Sequence, residues 1–307
     1  MTTARAATEL IRARSSWRSY DGRALEPGDR ARLEEFIAAL EAGPFGGRVR
    51  LRLVEPSAGD RAELKALGTY GMVKGARTFL AGAIRRGPMD MEDYGCAFER
   101  VVIKATALEL GTCWLGASFN RSGFAARINL AEGEILPAVS PVGYVASSRT
   151  FVDATTRFFA RSKKRKRWEE LFFDGDFATP LSPQAAGPYA EVLEMVRLGP
   201  SASNRQPWRI VKERGEGVLH LFLRRTRGYN SRLINVPGGD LQRLDMGIAT
   251  CHVELAAREL ELAGKWEVLA PPPRLELPER VEYVATWRPL YRFRRSGRTG
   301  LAEGFSP

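Results

Sequence analysis

The sequence predicts an α+β chain of two tandem repeats that pair with each other, and three observations predict it. The first is an internal repeat. Leu25, Pro27, Glu35, Gly43 and Pro44 align without a gap with Leu181, Pro183, Glu191, Gly199 and Pro200. Asp93, Gly95, Ala97, Val101, Ala105, Leu108, Glu109 and Trp114 align in the same way with Asp245, Gly247, Ala249, Val253, Ala257, Leu260, Glu261 and Trp266. Val142, Tyr144, Val145 and Ala146 align with Val281, Tyr283, Val284 and Ala285. Blocks in one order, with offsets drifting only through small gaps, are hard to produce by chance. The second observation is a matched pair of helical stripes, and the third is strand-like alternation in both halves. A length of 307 residues allows two units at about 150 residues per domain, and 44% hydrophobic residues suffice for their cores.

In chain order, residues 8–14 and 28–41 read as helical, and Val49–Val54 alternates as a strand does. Between Asp93 and Leu110, Tyr94, Ala97, Val101, Ala105 and Leu108 fall on one helical face; Met246, Ala249, Val253, Ala257 and Leu260 repeat that spacing. Gly95, Ala97, Gly247 and Ala249 lack bulk, so these two helices are expected to approach closely and form the seam between the halves. Two ordinary core helices would explain each stripe but not its repetition. Val218–Leu223 supplies a strand to the second half, and Asp174–Pro188, with its Gly and Pro residues, reads as the linker. The expected organisation is a first repeat over 1–173, linker and start of the second repeat over 174–188, the second repeat over 189–291, and a basic, mobile tail over 292–307.

Composition narrows the function. Cys96, Cys113 and Cys251 are odd in number and widely spaced, which argues against a disulfide framework and for a reducing, cytoplasmic location. No apolar run approaches the roughly 18 residues of a membrane span, and arginines and Glu9 stand where a signal peptide needs its apolar core. No membrane partner is therefore expected. The formal charge of +11 points to anionic partners, a description that nucleic acid, phosphorylated cofactors and membrane surfaces all satisfy. His220 and His252 are the only histidines and lack a Cys-x-x-Cys companion, so both read as structural and no metal is expected. There is no Gly-x-Ser-x-Gly elbow.

The segment Gly199-Pro-Ser-Ala-Ser-Asn-Arg-Gln-Pro-Trp208 is the most specific motif. Its prolines deny helix at either end, and the amides of Asn204 and Gln206 both donate and accept, a set suited to a planar polar heterocycle. It resembles the Pro-Ser-x-x-Asn-x-Gln-Pro-Trp motif of the nitroreductase family, flavin enzymes whose FMN sits between two copies of the fold. Arg14-Ser-Ser-Trp-Arg18 fits that family's Arg-x-Ser-x-Arg signature. If extended, it projects Arg14, Ser16 and Arg18 from one face, which makes a site for a phosphate and a polar ring edge. The ordinary alternative is a solvated arginine face.

Two further elements follow from the resemblance. Arg161–Leu171 contains the family's Lys-x-Arg element at Lys163 and Arg165, which would close on the FMN phosphate; a solvated face, a localisation signal or a nucleic-acid patch is the general reading of such a run. Cys113–Gly116 corresponds to the family segment whose backbone N–H reaches the flavin N5, which would bring Trp114, Leu115 and Gly116 to the cofactor; a core tryptophan is the alternative, since Trp266 matches Trp114.

The resemblance covers nearly the whole chain before Tyr291 and is to the single-chain, two-repeat branch of the family. It implies a nitroreductase-like α+β fold in which each repeat is a small helix-flanked antiparallel sheet. It also implies FMN held by Arg14, Ser16, Arg18, Trp114, Leu115, Gly116, Lys163, Arg165, Pro200, Ser201, Ala202, Asn204 and Gln206. The first half has only Gly43-Pro-Phe-Gly-Gly47 where the second has Asn204, and the second half has no Arg-x-Ser-x-Arg. One FMN per chain is therefore expected, between the halves of a monomer acting as a pseudo-dimer. NAD(P)H would be the electron donor and a small aromatic, nitro or quinone-type compound the acceptor, in a ping-pong cycle that needs no catalytic side chain. No Gly-x-Gly-x-x-Gly marks a separate dinucleotide domain. A non-catalytic flavin carrier would use the same residues. A nucleic-acid-binding protein would use Arg161–Arg167, but the run lacks interleaved aromatics and any zinc or helix-turn-helix pattern, so no nucleic-acid partner is expected.

Overall fold

The structure is a computed structural model, which describes residues 5–56, 68–146, 164–227 and 239–290. Lys163 and the tail after Tyr291 lie outside these residues. The first half holds strands β1 (Val49–Val54), β2 (Thr78–Arg85), β3 (Gly111–Thr112), β4 (Glu134–Ile135) and β5 (Val139–Gly143). The second holds β6 (Phe172–Asp174), β7 (Trp208–Lys212), β8 (Leu219–Arg224), β9 (Gly264–Glu267) and β10 (Val281–Pro289). One sheet runs β1-β2-β5-β3, with β4 also on β2, and the other runs β6-β7-β8-β10-β9. Strand for strand, β1-β2-β5-β3 corresponds to β7-β8-β10-β9, with antiparallel pairing throughout both sets. The two sheets thus fit a repeated arrangement.

Seven helices accompany the sheets among the described residues: α1 (Ala7–Ala13), α2 (Pro27–Ala38), α3 (Asp90–Ala107), α4 (Arg121–Arg127), α5 (Pro183–Ala186), α6 (Tyr189–Leu198) and α7 (Leu241–Glu259). Pro27 opens α2, where its missing N–H costs nothing, and the Asp240 carboxylate caps α7 by accepting from the N–H groups of Gln242 and Arg243. None of these helices is long and apolar enough to cross a membrane.

Helices α3 and α7 form the seam that the small residues predict. A Cβ on Gly95 would lie 3.0 Å from Gly247 Cα, and one on Gly247 would lie 2.8 Å from Gly95 Cα; each would also strike a carbonyl of the other helix, that of Leu244 or Glu92. Matching residues of the two sequence blocks therefore touch each other, as the residues on the axis of a two-fold contact do. Three pairs of ionisable side chains cross the same seam. Arg100 reaches Glu254 at 2.5 Å, Arg243 reaches the fully buried Glu92 at 2.7 Å, and His252 Nε2 lies 3.0 Å from Glu99 Oε1. Burial pushes the Glu92 carboxyl up to about 7 against the opposing pull of Arg243.

The cores interlock across the seam. Leu241, Leu244 and Ile248 of α7 pack with Tyr94, Phe98 and Val101 in the first core. Leu10 and Ile11 of α1 and Ile103 of α3 pack with Trp208, Trp287 and Tyr189 in the second. The histidines are structural: His220 Nδ1 pairs with Thr286 Oγ1 at 2.8 Å and His252 Nδ1 with Met195 O at 2.8 Å.

The stretch expected to link the halves is packed. Position 173/174 falls inside β6, which runs parallel to β7 as the edge of the second sheet. The stretch after it is tied down, with Asp174 N donating to Thr179 O at 2.8 Å, Leu181 N to Phe172 O at 3.0 Å and Trp168 Nε1 to Leu181 O at 2.6 Å. The cause is apolar burial. Leu171, Phe172 and Leu181 all enter the second core, which composition alone did not reveal in a Gly- and Pro-containing stretch.

Candidate functional site

The Arg14–Arg18 segment leaves the end of α1 and becomes extended, bridging Ser16 to Thr112 in parallel, with Trp17 N donating to Thr112 O at 2.8 Å. Arg14, Ser16 and Arg18 share one face and converge on the Cys113 thiol. Burial pushes that thiol up, while Arg18, Arg14 and hydrogen bonds from Ser16 and Arg18 pull it down. Past Arg18 the chain pairs with the loop before β2, through Lys74 N to Arg18 O at 2.8 Å and Tyr20 N to Lys74 O at 2.9 Å. That loop lines a cavity of about 460 Å³ with Phe79 and Asn120.

The second half meets this face through Arg165. Its guanidinium donates to Leu198 O at 2.9 Å and reaches Asn204 Oδ1 at 3.4 Å. Burial, then Arg14, then Arg197 push its pKa down to about 10. Arg14 is thus near enough to repel Arg165. Arg14 is 9% exposed, and its Nε is buried without a hydrogen-bond partner. Two partly dehydrated guanidiniums whose charges act on each other, one with an orphaned donor, suit an oxyanion such as a phosphate.

Within Gly199–Trp208 the polar side chains make hydrogen bonds inside the protein. Gln206 is 3% exposed and turns inward, accepting from Lys166 N at 2.7 Å and donating to Lys164 O at 3.2 Å. Ser201 Oγ accepts from Gln206 N at 2.8 Å, and Asn204 Nδ2 donates to Lys164 O at 2.8 Å. Ser203, Asn204 and Gln206 have φ of 51°, 53° and 48°, a left-handed path that leaves backbone polar groups for side chains to satisfy. These polar side chains hold the loop and clamp it to residues 164–166. Pro200 and Ala202 remain half-exposed on it.

Trp114 and Leu115 direct their side chains into the first half. Trp114 Nε1 donates to Glu99 Oε2 at 2.7 Å and its ring lies 4.3 Å from that of Phe98, while Leu115 is buried and exchanges backbone bonds with Val139. Leu115 is a core side chain and Trp114 packs, partly buried, against the first core. Gly116 stays half-exposed at the seam, where a Cβ would lie 2.8 Å from Leu241 Cδ2 at the start of α7. Ala202 packs on the same first-half core as Trp114.

Asp245 is a residue the sequence reading placed only in the repeat. It is 1% exposed on α7, its Oδ1 accepts from Ala202 N at 2.9 Å, and its Oδ2 is buried without a partner. Its match, Asp93, accepts from Phe45 N at 2.8 Å and Gly47 N at 2.6 Å. In both halves the first turns of the long helix therefore hold the Gly-Pro loop by an aspartate. The aligned pairs Asp93/Asp245 and Gly43-Pro44/Gly199-Pro200 carried this signal jointly, but neither block reveals it alone. Burial pushes Asp93 up to about 6 and Asp245 well above the usual carboxylate range, despite those hydrogen bonds. Replacing Gln206 by Leu should open the clamp at a cost of about 1–3 kcal/mol, read as a lower denaturation midpoint without any ligand. An unchanged midpoint would mean that the clamp carries no stability.

The site thus comprises a cationic face from the first half, a loop from the second, and Gly116 near their junction. Among the described residues no group of three or more His, Cys, Asp or Glu side chains could hold a metal. The sequence matches the family model described as "Putative TM nitroreductase" over residues 6–257, and the chain belongs to that family. A structure from Thermotoga maritima described as a "putative nitroreductase" is similar in fold, with a TM-score of 0.58 and 18% identity, covering 94% of this chain and 95% of that one. An "FMN-dependent nitroreductase" from Clostridium difficile R20291 matches 48% of this chain and 92% of its own, at 14% identity and a TM-score of 0.38. No curated protein matches the sequence.

Proposed function

We propose that the chain is an FMN-dependent oxidoreductase, an internally duplicated unit that holds one flavin between its halves and passes electrons from NAD(P)H to a small aromatic, nitro or quinone-type acceptor. The observation that carries this reading is Arg14, with its orphaned buried Nε, whose charge acts on Arg165, itself bonded to the Leu198–Asn204 region. Family membership supplies the oxidoreductase class. When bound, FMN would supply the hydride and electron chemistry, and the protein would supply orientation, dryness and charge.

The residues divide that work. Arg14 and Arg165 would hold the phosphate, offering guanidinium forks that a lysine cannot copy. Ser16 and Arg18 would lie toward the polar ring edge, where Arg18 opposes the negative charge that collects on a reduced flavin. Pro200 and Ala202 would offer apolar contact from a loop whose shape Asp245, Ser201 and Gln206 fix. Gly116 would let backbone approach the ring without a side chain between.

The test is redox. Protein reconstituted with FMN and freed of excess should bleach under anaerobic NADH or NADPH and recover its colour when a quinone is added. A bound flavin that neither nucleotide reduces would make the protein a carrier. Failure to retain FMN at all would overturn the reading.

A further inference from the structure

A second set of cations lies off the site just described. Arg165 points to Leu198 and Asn204, but the next side chain, Lys166, points to Gln206 and the start of β7. There the Lys166 ammonium and the Arg209 guanidinium donate to one and the same oxygen, Gln206 O, at 3.4 Å and 3.2 Å. Arg209 also donates to Trp208 O at 2.6 Å. It is 3% exposed, and its Nε is buried with no hydrogen-bond partner. Arg224 follows from the neighbouring strand, where β8 pairs with β7 and Arg224 N donates to Pro207 O at 2.8 Å. Its charge acts on both Lys166 and Arg209, and that of Arg205 acts on Lys166. Among the described residues, the carboxylate acting on Lys166 and Arg209 is Glu170, which already accepts from Arg167 N at 2.9 Å. By contrast, Arg225, one residue from Arg224, is neutralised by Asp240 and Glu282.

Gathering like charges around a buried guanidinium is unfavourable unless an anion completes the group. Nothing in the flavin reading uses it. We propose that Lys166, Arg205, Arg209 and Arg224 form an anion site for a phosphate dianion, either free or as the phosphomonoester of a small molecule. The donor set favours phosphate over a carboxylate. Four cations exceed the charge that one carboxylate neutralises, and guanidiniums match the oxygens of a phosphate in pairs. Burial, Arg209, Arg224 and Arg205 hold the Lys166 ammonium down near 8, and an anion bound there would relieve that strain.

Calorimetric titration of the purified full chain with inorganic phosphate, and in parallel with glycerol 3-phosphate, tests the proposal. Phosphate should bind in the micromolar to millimolar range and raise the melting temperature. Lys166→Met and Arg224→Met should each weaken that binding about tenfold or more, the effect of removing one charged contact. Arg165→Met should leave this binding component intact, which separates it from any phosphate held by Arg14 and Arg165. Arg209→Met should melt higher than wild type in the absence of phosphate and lose the phosphate-dependent rise. Tighter glycerol 3-phosphate would identify a phosphorylated small molecule as the source, and equal affinities would identify free phosphate. Phosphate binding that is absent, indifferent to Lys166 and Arg224, or lost only with Arg165 would overturn the proposal. If Arg209→Met fails to fold, the two half-buried and exposed positions, Lys166 and Arg224, still decide.

Discussion

Gly247→Val should cost the chain a large share of its stability. A Cβ at that position meets the Glu92 carbonyl and lies 2.8 Å from Gly95 Cα, so the obstacle is backbone and cannot swing aside. Helix α3 would have to move off α7, breaking the crossing around which both cores interlock. Overpacking of this kind costs about 3 kcal/mol at the upper end of the usual range, against about 5–15 kcal/mol for a whole fold. Gly95→Val should behave alike, because the same crossing is entered from the other side. Gly28→Ala is the control, since nothing lies within 4 Å of its added Cβ, and it should change stability by less than about 0.5 kcal/mol. Urea denaturation measures all three. Equal midpoints for Gly247→Val and Gly28→Ala would remove the seam from the account.

Arg14→Met should give opposite signs with and without FMN. In the ligand-free protein it removes a buried cation that repels Arg165 and leaves a side chain of similar length, so the melting temperature should hold or rise. With FMN it removes charged contacts to the phosphate worth about 1.5–3 kcal/mol, a loss of about 10- to 100-fold in affinity. Arg165→Met should weaken FMN comparably. The double variant should lose less than the product of the two, because both contact one group. Paired melting curves read both signs. A ligand-free Arg14→Met that melts well below wild type would make Arg14 a structural residue.

The fold was legible where a residue type had one physical explanation. Small residues repeated at Gly95 and Gly247 predict a close crossing, and the crossing is there. The strand Val49–Val54 is found at those residues, with Leu51 buried and Arg52 exposed as alternation requires, while Val54 is buried on the opposite face in another cluster. The candidate site was legible in place more than in role. Arg14, Ser16 and Arg18 share a face because an extended chain leaves them no other arrangement. Asn204 and Gln206 carry the same donors and acceptors whether they meet a ligand or a neighbouring carbonyl, so sequence does not reveal their bonds to Lys164 and Lys166. The ordered join around β6 was hidden for a related reason: Gly and Pro mark a turn equally well in a tether and in a packed corner. Asp245 needed the third dimension, because the loop it holds is distant in sequence.

The position of the flavin between the halves is the central claim, and binding stoichiometry tests it most directly. FMN is titrated into the full chain, followed by flavin fluorescence, and the complex is then diluted through any self-association equilibrium while its mass is monitored. The account predicts one FMN per polypeptide, retained by the monomer, because Arg14, Arg165 and the Gly199–Trp208 loop belong to one chain. Two flavins per chain at saturation, or a flavin released whenever the protein becomes monomeric, would contradict it.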